Sequence, residues 1–234
     1  MSFFFYSIFV VSQLLAKNQM EDLKGILSTA YFAPIQYYCK LIQFPETLIE
    51  QWEHYPKQSY RNRCNIYGAN GVIALSVPVV KATNKKVLLR DVKISYDTNW
   101  QKLHWKGIEA AYKSSPFYEF YIDDLAQFFH QKWNSLLEFN LAIQDEICSL
   151  IELDSNYKLT NDFIEINIQN SNDFRYSIHP KTSKTEEDTF FIPREYTQVF
   201  SEKLGFEGNL SILDLIFNLG PDSSSYLQSC ISKL

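Results

Sequence analysis

Glycine and proline are scarce, 7 and 8 among 234 residues. Neither loop that cradles phosphate with glycine-exposed backbone is present, G-x-G-x-x-G or G-x-x-x-x-G-K-[ST]. The same scarcity excludes collagen-like, disordered and linker-rich chains. The four cysteines, Cys39, Cys64, Cys148 and Cys230, are scattered and form no C-x-x-C pair and no Cys/His set at zinc spacing. They read as reduced thiols of a cytosolic protein. His54, His130 and His179 have no partner at metal spacing either, so no metal site is expected. Lys and Arg number 22 against 27 Asp and Glu, a net charge of −5. Without a dominant basic field, nucleic acid and anionic membrane are not expected as wholesale partners, although a local basic site remains open. No G-x-S-x-G elbow occurs, which argues against a serine hydrolase.

What the chain has in excess is rings: 18 Phe, 15 Tyr and 4 Trp. They fit a bulky core or a cleft that stacks on a ligand ring, and composition does not choose between them. Hydrophobic residues at 46% and charged residues at 21% suit one large domain or two small ones with a true core. The run from Ser2 to Ala16 is too short for a membrane span of about twenty residues and has no basic flank. It reads as an extension upstream of a start at Met20. The rival reading, a membrane anchor or degenerate signal, predicts membrane recovery that disappears on deletion to Met20.

Alternation and turn signals predict strands at Ile26 to Phe32, Thr47 to Trp52, Val72 to Val80 and Val87 to Ser95, the last two antiparallel. A helix is expected at Ile35 to Phe44, a turn at Ala69-Asn70-Gly71, and a basic loop at Lys81 to Lys86. A capping box at Thr98 and Gln101 starts a helix to about Lys113, and Ser115-Pro116 reads as N-cap and first helical position. A long helix is expected from Asp123 or Asp124 to Leu150. The polar stretch Glu152 to Asp188 has candidate strands at Phe163 to Ile168 and Arg175 to Ile178. Helices follow from Glu195 to Leu204, capped by Gly205, and from a second capping box at Ser211 and Asp214 to Gly220-Pro221. The fold class is therefore α/β: an N-terminal mixed or mostly parallel sheet flanked by helices, then a helix-rich C-terminal half. The division is an extension at 1–19 and one domain at 20–234, with its α/β core at about 24–115.

Three places could carry chemistry. Tyr55 to Asn65 holds Lys57, Arg61 and Arg63 within seven positions, with Gln58, Ser59, Asn62 and Asn65 as neutral donors. Guanidinium groups grip phosphate or carboxylate with two parallel bonds. No Asp or Glu lies between Tyr55 and Arg90 to neutralise them locally. An anionic small molecule such as a sugar nucleotide would suit this set; a solvated basic turn is the rival. The helix Trp100 to Lys113 puts His104 among apolar neighbours, where burial could tune it as a general base, with Trp105 and Tyr112 on the adjoining face. A hydrogen-bonded core histidine is the commoner outcome for such a residue. The junction Thr29 to Tyr38 joins a strand end to a helix start, a natural anion site in α/β folds, with Tyr31 and Tyr37 able to meet a ring. Aromatic core packing is the rival there. Glu50 and Glu53 are candidates for a carboxylate pair, with no spacing that singles them out.

The sequence resembles the WbqC-like family. The resemblance rests on Thr29-Ala30-Tyr31-Phe32-Ala33-Pro34, Lys57-Gln58-Ser59-Tyr60-Arg61-Asn62-Arg63, Asn70-Gly71 and Val77-Pro78-Val79. It continues through Trp100, His104, Tyr112, Ser115-Pro116-Phe117, Tyr196, Gln198, Phe200, Gly205-Phe206 and the run Asn209 to Pro221. It implies a bacterial family whose members often occur in O-antigen and other surface-polysaccharide clusters, with amino-acid or acyl transfer to a nucleotide-linked sugar as the suggested activity. It leaves the cofactor unknown. Under it, His104 would be the catalytic base, and Tyr31, Lys57, Arg61, Asn62, Arg63, Trp105 and Tyr112 would bind substrate. The chain departs from the commoner family pattern at Thr29-Ala30 and Tyr37-Tyr38. A weaker likeness is to the nucleotidylyltransferase layout, whose H-x-G-H motif is missing here; Gln36 and Tyr38 stand nearby instead.

Overall fold

Six hydrophobic residues in nine favour a buried helix after Pro34, and every residue from Ile35 to Leu41 is buried. A computed structural model describes residues 24–81, 86–166, 172–181 and 188–232. Strand β1 (Lys24–Ser28), helix α1 (Ile35–Gln43) and strand β2 (Glu46–Glu50) form a β-α-β unit, with β1 and β2 parallel and Ile26 opposite Leu48. A short strand β5 (Tyr157–Leu159) adds to the far side of β2, also parallel. Asp173 bridges to Ile26 on the outer side of β1. A separate hairpin pairs β3 (Arg63–Gly68) with β4 (Gly71–Ser76), Arg63 opposite Ser76. Gly71 closes its turn at φ +109°, a conformation that costs glycine little.

The helices are α2 (Trp100–Tyr112), α3 (Tyr118–Leu125), α4 (Gln127–His130), α5 (Leu136–Leu150), α6 (Ser201–Leu204), α7 (Ile212–Leu219) and α8 (Ser223–Ser229). Every residue of α7 from Ile212 to Asn218 is buried. Its entry clasps the Tyr31–Pro34 junction: Ser211 Oγ donates to the Phe32 carbonyl at 2.9 Å and Ile212 N to Ala33 at 2.9 Å. That clasp, and the Phe129 ring stacked 5.8 Å away, hold Phe32 at φ +37°. A non-glycine residue there costs about 1–3 kcal/mol. The ring surplus is largely core. Tyr31, Tyr38, Tyr112, Phe128, Phe139 and Phe217 are all fully buried.

The structure is mixed α/β, with a parallel sheet flanked by helices and a helix-rich second half, as the residue pattern implied. Individual elements differ for identifiable reasons. The first strand stops at Ser28, because the following backbone is pulled to Tyr60, whose carbonyl accepts the Tyr31 N–H at 2.9 Å. The basic stretch from Arg63 enters β3, unnoticed because its alternation is masked by polar residues. Val87 to Ser95 is no strand: a 3-10 turn at Leu89–Asp91 breaks it, leaving the bridges His54–Leu88 and Val79–Ile94. The long helix splits, since the Tyr96 hydroxyl takes both backbone groups of Trp133 and Ser135 starts a new helix as N-cap. Thr98 is not a cap; Asn99 precedes α2. Ser115 donates to the Tyr112 carbonyl, and α3 begins only after Phe117. Phe163 to Ile166 is irregular, because the Ile164 N–H and carbonyl go to the Glu50 and Arg175 side chains rather than to a strand. Residues 167 and 168 of that expected strand lie outside the described residues. Arg175 to Ile178 is a turn. Only Ser201–Leu204 of the Glu195–Leu204 helix forms, as Gln198 bonds Glu207 instead. The Ser211 cap is present, accepting from Leu213 N at 3.3 Å. All four cysteines are buried and unpaired. No helix among the described residues is long and apolar enough to cross a membrane, and Ser2 to Ala16 lie outside them.

Candidate functional site

The 61–63 segment is pinned by Val77 and by Asn140, and it lines a cleft. Asn62 donates through Nδ2 to the Val77 carbonyl at 2.7 Å and accepts the Val77 N–H at 2.8 Å. Asn140 of α5 donates to the Arg61 carbonyl at 2.7 Å. The backbone turns from Tyr60 through Asn62 and becomes strand only at Arg63, so the two arginines escape the alternation that would put residues two apart on one face. Arg61 turns into the protein while Arg63 lines the cleft.

Outward lies a cleft of about 900 Å³. It is lined by residues of three stretches, Tyr55 to Arg63, Ser76 to Lys81 and Lys86 to Lys93. Its volume is that of a small-molecule site. Five cations line it, Lys57, Arg63, Lys81, Lys86 and Lys93, against the single carboxylate of Asp91. Among the described residues none of the five forms an ion pair. Tyr55, Val79, Val80, Val87 and Val92 give it apolar surface, and burial pushes the Tyr55 phenol up to about 12, so it remains a donor. Backbone bonds join the third stretch to the other two: Val80 N to Lys93 O at 2.9 Å, Tyr55 N to Val87 O at 2.9 Å.

Inward, Arg61 is 3% exposed and grips Glu53 with two bonds of 2.7 and 2.6 Å. Glu53 also accepts from the Ser28 hydroxyl at the end of β1. Arg61 donates to the Arg175 carbonyl at 3.1 Å, and Arg175 pairs with Asp173 at 2.6 Å and Glu50 at 3.3 Å. Glu50 and Glu53 are thus saturated structural partners under the carboxyl ends of the sheet. The void beside Ser28, Arg61 and Arg175 is about 10 Å³, room for at most one water.

His104 sits next to Ser76 of the cleft, 6% exposed. Its Nδ1 lies 2.9 Å from the Tyr31 hydroxyl, and its ring also bonds the Ser76 backbone. The other ring nitrogen donates its N–H to the Ser76 carbonyl, a tautomer that leaves Nδ1 to accept from the Tyr31 hydroxyl, whose proton burial retains well above the ordinary pKa of 10. Burial lowers His104 to about 4. With both nitrogens occupied, it has no lone pair for a cleft ligand. Its consequence is for stability. The folded state binds the proton less readily than the unfolded chain, so stability present above about pH 6.5 is lost as pH falls toward 4. The linkage amounts to at most about 3 kcal/mol. In urea titrations, the stability gap between the native chain and His104→Gln should shrink by that order between pH 7 and 4. Parallel pH profiles would show that the ring is solvated.

Of the residues singled out from the sequence, Lys57, Asn62 and Arg63 line the cleft. Arg61 does not, because Glu53, two positions before Tyr55, neutralises it inside. Tyr31 is fully buried on His104. Tyr112 is fully buried beside Phe217, its hydroxyl accepting the Tyr67 N–H at 3.1 Å. Trp105 packs on Phe129 and His130, at ring distances of 5.4 and 5.2 Å, away from the cleft. Sequence reasoning missed Ser76, Asp91, Lys93 and the role of Tyr55. The basic run ending at Lys86 was the available signal for the third stretch. Among the described residues no group of three or more His, Cys, Asp or Glu side chains could hold a metal ion.

No solved structure was found to match the chain. It is 26% identical over 223 residues to the uncharacterized protein Rv1507c of Mycobacterium tuberculosis (strain ATCC 25618 / H37Rv), with 85% of this chain and 95% of that protein covered. The model of the WbqC-like protein family matches residues 29–186, which include both arms of the pinned segment and the whole cleft, and the chain belongs to that family.

Proposed function

We propose that this chain binds an anionic small molecule, a nucleotide-linked sugar, in the cationic cleft and transfers an amino-acid or acyl group to it during bacterial surface-polysaccharide synthesis. The supporting observation is the cleft itself: five cations with no carboxylate partner among the described residues, beside apolar side chains, in a protein of net negative charge. Arg63 and Lys57 hold the anion, Asn62 shapes the wall, and Tyr55 meets the ring. With His104 sealed, Asp91 is the cleft group placed to accept a proton. A sugar amine or hydroxyl would attack the carbonyl of an activated ester or thioester donor. The new C–N or C–O bond forms, the nucleophile's proton passes to Asp91, and the C–O or C–S bond of the donor breaks with its electron pair going to the departing oxygen or sulfur, which takes that proton and leaves as the alcohol or thiol.

A thermal-shift screen with sugar nucleotides, acyl-coenzyme A and aminoacyl esters tests this. A ligand that binds only the folded state at a hundred times its Kd adds about 2.7 kcal/mol. The expected result is a shift with one sugar nucleotide that is lost in Arg63→Ala, and product formation that is lost in Asp91→Asn. The sealed His104 and the lone carboxylate favour a second reading, a ligand-binding or scaffolding protein of the same pathway. A ligand-binding protein predicts the shift without turnover by any donor, and a scaffold predicts no shift with any ligand together with a co-purifying partner protein. Absence of both a shift and a partner would sink both readings.

A further inference from the structure

An aminoacyl donor and a plain acyl donor make opposite demands on a cleft. An aminoacyl ester carries an ammonium group close to its carbonyl. That cation needs a carboxylate or several free acceptors, and neighbouring cations disfavour it. A plain acyl chain needs apolar surface and no charge.

The lining meets the second demand. Lys57, Arg63, Lys81, Lys86 and Lys93 bring five positive charges to it, and among the described residues Asp91 is its one carboxylate. Its neutral polar side chains are already engaged. Gln58 Oε1 accepts from Lys181 Nζ at 2.8 Å, Asn62 Nδ2 donates to the Val77 carbonyl at 2.7 Å, and Ser76 Oγ accepts from Arg63 Nε at 3.0 Å. The rest of the lining is Tyr55, Val79, Val80, Val87 and Val92. Val92 belongs to the core, and Tyr55, Val79 and Val87 pack against it. Tyr55 N bonds the Val87 carbonyl, Val80 N bonds that of Lys93, and Val79 bridges to Ile94. Valine has few rotamers, so ordering these side chains on a ligand costs little entropy. Val80 is 57% exposed, apolar surface left open beside Lys81.

We propose that the group transferred is an apolar acyl chain carried as a thioester, held along Tyr55, Val79, Val80, Val87 and Val92, and that the surrounding cations exclude aminoacyl donors. This rests on the reading of the cleft as the ligand site and narrows the donor to one chemical class. The cations suit the carrier of such a chain where it is anionic, as coenzyme A is. The acceptor's nitrogen or oxygen bonds the thioester carbonyl carbon. The C–S bond breaks with its electron pair on sulfur, and the thiol leaves with the proton that the nucleophile gave up. No oxidant or reductant is required.

The test is calorimetric titration of the full chain, at fixed ionic strength, with propionyl-, octanoyl- and β-alanyl-coenzyme A, coenzyme A itself and UDP-glucose. The coenzyme A probes share one anionic carrier, and β-alanyl differs from propionyl by a terminal ammonium. The expected result is octanoyl-coenzyme A binding about tenfold tighter than propionyl-coenzyme A, since its further methylenes leave water. β-Alanyl-coenzyme A should bind about threefold weaker than propionyl-coenzyme A, through repulsion by the cations. The double variant Val80→Thr, Val87→Thr should shrink the gain from propionyl to octanoyl about threefold, because each hydroxyl resists burial against the chain. Propionyl- and octanoyl-coenzyme A binding alike would overturn the inference. A gain unchanged in the double variant would place the chain elsewhere and overturn it too. β-Alanyl-coenzyme A binding as tightly as propionyl-coenzyme A would overturn the exclusion of aminoacyl donors. UDP-glucose binding without any coenzyme A probe would overturn the inference and leave the reading of the cleft standing. No binding by any probe would overturn both.

Discussion

Replacing Arg61 by methionine should lower stability by about 3–5 kcal/mol, measured by urea unfolding, because it leaves the Glu53 carboxylate buried and uncompensated. Glu53 is fully buried, and Arg61 supplies two of its bonds. Folded domains of this size hold roughly 5–15 kcal/mol in total, so the variant stands near the unfolding threshold. The double variant Arg61→Met, Glu53→Leu should recover much of the loss, since a buried ion pair gains little net stability over apolar side chains. Recovery would be incomplete where the Ser28 hydroxyl, left without its acceptor, keeps a desolvation cost of about 1–3 kcal/mol. A single-variant loss under 1 kcal/mol would mean that the pair is hydrated in solution. The same experiment separates two arginines that look alike in sequence. At temperatures where it remains folded, the Arg61 variant should keep its cleft ligand, whereas loss of Arg63 should not.

Phe217→Ala should cost a similar amount, about 3–5 kcal/mol, with the denaturant slope unchanged. Phe217 is fully buried, its ring lies 5.3 Å from Tyr112 and 5.2 Å from Tyr118, and its carbonyl accepts the Phe117 N–H at 3.0 Å. Removing the ring leaves a cavity ringed by stiff aromatic side chains that cannot close over it. Residue 217 lies beyond residues 29–186, where the family model matches. The large expected loss states that α7 belongs to the same core as β1 and α1, through the Ser211–Phe32 and Ile212–Ala33 bonds. A loss below about 1.5 kcal/mol would mean that the C-terminal helices dock on a core already complete without them.

Local pattern made much of this legible. The density of apolar residues in Ile35 to Phe44 and Ile212 to Leu219 marks helices that no other packing could satisfy, and both formed within a residue or two. Asn70-Gly71 marked the hairpin turn. Elements failed where their backbone partners are side chains far away in sequence. Phe163 to Ile166 has a strand-like sequence, yet Glu50 and Arg175 take its backbone groups. Helix α8, Ser-Ser-Ser-Tyr-Leu-Gln-Ser, has too few apolar residues to announce itself and forms because Leu227 and Cys230 find a place against α1.

The sequence alone determined that a phosphate, if held, must be held by side-chain cations, because the chain has too few glycines for a phosphate loop. It also placed the cations near Lys57 to Arg63. Which of them faces a ligand was decided only in three dimensions. Arg61 and Arg63 are two residues apart and chemically identical, but the carboxylate of Glu53 is reached by one and not by the other. Lys86 and Lys93 complete the cleft because backbone bonds from Tyr55 and Val80 bring a distant segment to it. His104 kept its apolar surroundings and lost its freedom, since Tyr31 and Ser76, far apart in sequence, take its two nitrogens. Spacing along the chain records which groups are available; charge neutralisation and hydrogen-bond satisfaction across the fold decide which remain free.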